Sequence, residues 1–200
     1  MAQIDSIGAG LFSDFSIAMP DVEPTFSNLD TAGEFQALFA TEIQSIGPGV
    51  KGTGTFVRVK DVREFPAMGT PPNIVNVPVY GSSTSQQIQG QADAPSIELT
   101  LNYVASEWAD GTLLGNSVGD GHQYVMRFTL LNSEPTGTGV LKYASVDGPN
   151  SIGGVENSQY YWVGKIEALQ VTPNLTDANT ATVTMSIQSE FYGAYTNENA

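Results

Sequence analysis

Ser96-Ile97-Glu98-Leu99-Thr100-Leu101-Asn102-Tyr103-Val104 alternates without a break. Ile97, Leu99, Leu101 and Tyr103 fall on one face. Ser96, Glu98, Thr100 and Asn102 fall on the other, the period-two signature of a half-buried strand. The pattern returns from Thr180 to Phe191, where Val183, Met185 and Ile187 oppose Thr182, Thr184, Ser186 and Gln188. Strands of this kind belong to a sheet with one face in a core and the other in water.

Working outward, Phe56 to Val62 reads as a strand, with Phe56 and Arg58 on the face opposite Val57 and Val59. Ile74 to Tyr80, Gln123 to Leu131, Gly139 to Ser145 and Gln159 to Val171 follow, separated by Gly, Pro, Ser and Asn clusters. Along Gln123–Leu131, Tyr124, Met126, Phe128 and Leu130 share one face. Helical spacing occurs over 31–46. Asp30 or Thr31 caps it, Glu34 completes a capping box with Thr31, and Phe35, Leu38, Phe39, Glu42, Ile43 and Ile46 follow. Gly47-Pro48-Gly49 ends that helix. Ala105 to Leu114 predicts a second, shorter helix, with Trp108 and Leu113 or Leu114 pointing inward.

Roughly eight strands with one or two short helices make a mostly β chain, an antiparallel β-sandwich or partly closed barrel. The predicted organisation is an arm over 1–50, carrying the helix, and one β domain over 51–200 with an extended arm at about 63–94. Residues 1–30 read as irregular.

Charged residues make up only 14% of the chain, against a usual quarter. Glycine and neutral polar residues replace them, a composition that suits burial against copies of the same chain. The formal charge is −14, and the first fifty residues hold seven acids and no Lys or Arg. Such a chain repels nucleic acid, because phosphate contacts need cations. There is no Cys, hence no disulfide and no thiolate metal site. The start has no basic region or apolar run suited to export, and no stretch approaches the ~20 apolar residues of a membrane span. The expectation is a product made and kept in a cytoplasm, with no membrane partner.

Several motifs lack the context their chemistry needs. Gly47-Pro48-Gly49-Val50-Lys51-Gly52 fits G-x-G-x-x-G, but a helix precedes it and a strand follows, the reverse of a dinucleotide site. Gly115-Asn116-Ser117-Val118-Gly119 fits G-x-S-x-G, but it follows a helix and leads to a strand, and His122 is too near to complete a triad. Asp110, Asn116 and Asp120 miss the calcium-loop spacing. Tyr160, Tyr161 and Trp162 could stack a sugar or a base, although an aromatic strand in a core or subunit interface is the commoner use. No catalytic, cofactor-binding or metal residue is predicted.

Thr53 to Tyr192 resembles the major tail tube proteins of long, flexible-tailed bacteriophages, the lambda-like and T5-like siphophage group. The resemblance lies in the order of pieces. Val59-Lys60-Asp61-Val62 leads to a turn at Pro66 to Pro72, then Ile74-Val75-Asn76-Val77-Pro78-Val79-Tyr80 and a polar arm. Ile88-Gln89-Gly90-Gln91-Ala92-Asp93, the strand Ile97 to Tyr103, the helix with Trp108, and Tyr124 to Leu131 follow. Tyr161-Trp162-Val163-Gly164-Lys165-Ile166-Glu167-Ala168-Leu169 and the last strand complete it. The leader over 1–50 departs from the shorter starts of that group.

The resemblance implies hexameric rings of this chain, stacked into a hollow tube through which DNA passes unbound. It implies a tape measure protein and terminator or baseplate proteins as partners, a place in the virion after assembly in the host cytoplasm, and no active site. Tube proteins of contractile tails and of secretion-type injection machines share the pattern at fold level. A carbohydrate-binding virion decoration module and a β-fold hydrolase with a carboxylate pair are the other classes considered.

Two sets of residues are singled out for assembly. Ser96, Glu98, Thr100, Asn102, Thr182, Thr184, Ser186, Gln188 and Glu190 are expected to face the lumen. Phe12, Phe15, Phe26, Phe65, Met68, Ile74, Tyr80 and Ile88 are isolated apolar residues in the two arms, expected to anchor on a neighbouring subunit.

Overall fold

The computed structural model describes residues 13–20, 29–44, 51–69, 74–78, 80, 81, 83, 84, 86–89, 96–130 and 158–195. These residues form a mostly β structure. The strands of the first half are β1 (Asp14–Ala18), β2 (Thr41–Glu42), β3 (Thr55–Val59), β4 (Val62–Glu64), β5 (Ile74–Val77), β6 (Gln86–Gln89) and β7 (Ile97–Asn102). β8 (Tyr124–Leu130), β9 (Ser158–Thr172), β10 (Thr180–Ile187) and β11 (Tyr192–Tyr195) complete the set. Three short helices accompany them: α1 (Ala32–Ala37), α2 (Ala105–Trp108) and α3 (Leu113–Ser117).

One sheet runs in the order β2-β3-β1-β8-β9-β10-β7-β4, with β11 also on β9; β5 and β6 pair with each other as a separate hairpin. All pairings are antiparallel except β2 with β3. The sheet curls about one face. Phe15 and Ile17 of β1, Val57 and Val59 of β3, Ile97, Leu99 and Leu101 of β7, and Val183, Met185 and Ile187 of β10 all enter one core. Trp108, Leu113 and Leu114 of α2 and α3 join it. The curl leaves the sheet open, with short strands β2 and β4 at its ends.

Five sequence expectations change. The single helix expected over Ala105–Leu114 divides into α2 and α3, because Ala109 and Thr112 between them are extended. The stretch 1–30 is no irregular arm throughout: β1 lies in the sheet between β3 and β8, and Asp14 through Met19 are buried. The helix of 31–46 ends at Ala37, because Thr41 and Glu42 are drawn into parallel pairing with Thr55 and Phe56. Its start is as read: Thr31 caps it in a reciprocal capping box with Glu34. The strand from Phe56 breaks at Lys60–Asp61, where Asp61 adopts φ 59°, a left-handed conformation that Asp tolerates. The last strand ends at Ile187, and the chain returns as β11 on β9. The expected strand over 139–145 lies outside the described residues. Among the described residues no helix is long and apolar enough to cross a membrane.

Candidate assembly surface

The outward face of β7, β10 and the second half of β9 is polar and uncovered. Antiparallel pairing sets Thr182 between Thr100 and Gln170, Thr184 between Glu98 and Ala168, and Thr180 between Asn102 and Thr172. Thr100, Asn102, Thr182, Thr184 and Ser186 are half-buried by their neighbours along the sheet, and Glu98 is exposed. The residues between them, Leu99, Leu101, Ala181 and Val183, are in the core. The two faces therefore divide as the alternation predicts.

A bulge between Thr184 and Met185 shifts the register, so Thr184 opposes Ala168 and Met185 opposes Ile166. Glu167 sits at that bulge. The Ser186 hydroxyl donates to its carboxylate, and Gln188 Nε2 donates to Ser186 Oγ over 3.2 Å. Gln188 thus stays near the polar face although it lies beyond β10. Glu190 follows in the turn toward β11, where the backbone no longer alternates. Ser96 is exposed just ahead of β7.

The outer face of the other half of the sheet is covered. Ala18, Phe56, Val125, Tyr161 and Val163 pack beneath Phe35 and Phe39, with Tyr192 and Tyr195 at the margin. Phe35 stacks on Tyr161 at 4.9 Å between ring centroids. Burial pushes the Tyr161 phenol up to about 12.

A charge cluster lies in this layer. Arg127 of β8 is wholly buried, with its guanidinium 4.5 Å from the Phe39 ring centroid and 4.9 Å from that of Phe56. Its Nη2 is 3.9 Å from Asp14 Oδ2, and Ser16 Oγ donates to the same oxygen over 2.6 Å. Arg58 Nε lies 3.9 Å from Asp14 Oδ1 and 3.5 Å from Glu42 Oε1. Burial raises the carboxyls of Asp14 and Glu42 despite Arg127 and Arg58, because lost hydration outweighs the attraction. The sequence did not single out this cluster. Its traces were Arg58 and Arg127, each inside a mostly apolar strand.

Phe65 and Met68 are partly buried against their own core, and Phe65 meets the Phe128 ring at 5.0 Å. Phe15 is 1% exposed in the same core, as a strand residue. Ile74 lies on β5 and Ile88 on β6, and Tyr80, beyond β5, is fully exposed. Phe12 and Phe26 lie outside the described residues.

Ser117, the would-be nucleophile, is buried, and its hydroxyl donates to the Leu113 carbonyl over 2.7 Å. His122 is 3.3 Å from Asp120 on an exposed turn, and Asp120 also accepts from the Tyr124 hydroxyl. Lys51 Nζ donates to Tyr124 Oη over 3.1 Å. Among the described residues no group of three or more His, Asp or Glu could hold a metal ion.

No family model matches this chain, and no curated protein matches it. Among solved structures, the SPP1 tail tube determined by solid-state NMR and cryo-EM matches over 94% of this chain and 80% of that one. The identity is 10% and the TM-score 0.46.

Proposed function

We propose that this chain is a structural subunit that assembles with copies of itself into the tail tube of a long-tailed bacteriophage. The observation that carries the reading is the bare, polar sheet face of β7, β10 and β9, rich in Thr, Ser, Asn and Gln, where Glu98 and Glu167 outnumber Lys165, set beside Ser186. A conduit wall needs wetting by neutral polar groups and an acidic balance that does not hold phosphate. Glu98, Thr100, Asn102, Thr182, Thr184 and Ser186 would line that wall, with Ser96, Gln188 and Glu190 at its margins. The overall charge of −14 supports passage of DNA without binding.

Open sheet ends support self-association. A sheet that does not close leaves backbone donors and acceptors for a neighbour, and a cyclic arrangement consumes them without runaway growth. Hexameric rings, stacking, and contact with tape measure, terminator or baseplate proteins belong to this proposal through the sequence resemblance. The hairpin β5–β6 is a two-stranded sheet of its own, and such hairpins are marginal in water alone. With Tyr80 exposed beyond β5, it would dock on another copy.

Negative-stain microscopy of the purified chain tests the reading. Rings or tubes are expected. Compact monomer alone at tens of micromolar, at every salt concentration, would overturn it.

A further inference from the structure

Strand β1 is held by partners far along the chain. Phe15 pairs with Val59 on one side and Phe128 on the other. No tight hairpin ties β1 to either neighbour. Among the described pairings, β3 and β2 join the rest of the sheet only through β1. Six consecutive residues, Asp14 to Met19, are buried there. Phe15 and Ile17 fill the main core. Asp14 and Ser16 face the other way, toward Arg127 and Arg58. A slip of one residue would turn Asp14 into the apolar core. The slot between β3 and β8 therefore accepts this strand in one register, keyed by charge.

We propose that β1 is an exchangeable strand: in the assembly, Asp14–Ala18 of one copy fills the slot between β3 and β8 of the next. This deepens the tube reading and rests on it. The contacts in an exchanged and an unexchanged subunit are the same, so only chain statistics separate them. A short linker gives an effective concentration in the millimolar range, so the free subunit keeps its own strand. Within a ring, neighbours stand at comparable local concentration and the preference disappears. The connection Asp21-Val22-Glu23-Pro24-Thr25-Phe26-Ser27-Asn28 can span on the order of 30 Å when extended. Strand addition of this kind supplies main-chain hydrogen bonds on both sides. It would link subunits by buried sheet instead of surface contact.

The chain has no Cys, so introduced cysteines report without background. Ile17 and Val57 are directly paired, as are Phe15 and Val59. Paired positions of a ladder lie about 4.5–5.5 Å apart, within disulfide reach. The double variants Ile17→Cys with Val57→Cys, and Phe15→Cys with Val59→Cys, are to be assembled, oxidised and run on non-reducing gels, with particle size measured in parallel. Exchange predicts a ladder of covalent multimers, and a covalent dimer when the Ile17→Cys and Val57→Cys single variants are co-assembled. Monomer bands from fully oxidised, assembled particles would overturn exchange and leave the tube reading standing. Free thiols in both pairs would refute the pairing of β1 in the assembly. Failure of the wild-type chain to assemble would overturn both readings.

Discussion

Strand β9 passes through two environments. From Tyr161 to Gly164 it is buried on both faces; from Glu167 to Thr172 its outward face is open. The first half carries Tyr161 and Val163 outward under α1. The second carries Gln170 outward beside Thr182. Gly164 marks the crossing, where β9 pairs with Tyr124 of β8 and Ile187 of β10. A Cβ at Gly164 would fall 2.5 Å from the Ser186 carbonyl, so only glycine lets the strands approach this closely there. The comparison teaches that outward alternation says a side chain leaves the core. It does not say whether it meets water or a second layer. That depends on where the helical segment, held by its capping box and by Glu42 on Arg58, comes down.

If the covered half is a true second core, its centre should be the most sensitive point of the chain. Arg127→Met leaves Asp14 and Glu42 in a dry layer with one cation fewer. We expect a loss of about 3–5 kcal/mol, the usual result of breaking a buried pair from one side. Urea unfolding measures it, and a loss under 1 kcal/mol would mean that the layer is wet. Phe35→Ala, which removes the ring on Tyr161, should cost about 3 kcal/mol by leaving a cavity. It should also raise protease sensitivity of 29–44 more than that of β10.

The pH response sharpens the same contrast. Burial raises the Asp14 and Glu42 carboxyls, so the folded chain binds those protons more tightly than the unfolded one. Their stabilisation is complete below the ordinary carboxylate values and is lost as pH rises through the raised, folded values. Glu34 runs the other way: the Thr31 hydroxyl and the Asp30 and Thr31 amides hold its carboxyl low. Its contribution is present above the ordinary value and is lost as pH falls through the lowered one. The Asp14→Asn variant should therefore decline less than wild type in urea midpoint as pH rises from the ordinary carboxylate value through the raised, folded one. An unchanged slope would remove Asp14 as its source.

The bare half should barely respond in stability. Thr184→Ala is expected within about 0.5 kcal/mol of wild type, as for surface sites without special contacts. Glu98→Lys should leave folding and tube length unchanged while slowing DNA passage, because it places a cation where phosphate would pass. A large loss of stability in either variant would show that this face is covered in the subunit.

The alternation of 96–104 and 180–187 was legible because one face of each strand meets the core and the other meets water or small polar neighbours. The capping box of Thr31 and Glu34 was legible because it is local. Strand β1 was missed although Asp14-Phe15-Ser16-Ile17 alternates polar and apolar, because the run is short and stands in a Gly-, Ser- and Pro-rich stretch that reads as irregular. Arg127 was not singled out in β8. Only packing put Phe39 and Phe56 over its guanidinium and Asp14 beside it.

The helix was read too long for a related reason. Ile43 and Ile46 keep helical spacing, but parallel pairing of Thr41 and Glu42 with β3 lies far from them in sequence. By itself, then, the sequence determined the mostly β class, the division of β7 and β10 into core and outer faces, and the acidic balance. Tertiary structure decided which outer face is covered, where β1 inserts and what surrounds Arg127. Those outcomes depend on contacts between segments tens of residues apart, and periodicity within a segment carries no information about them.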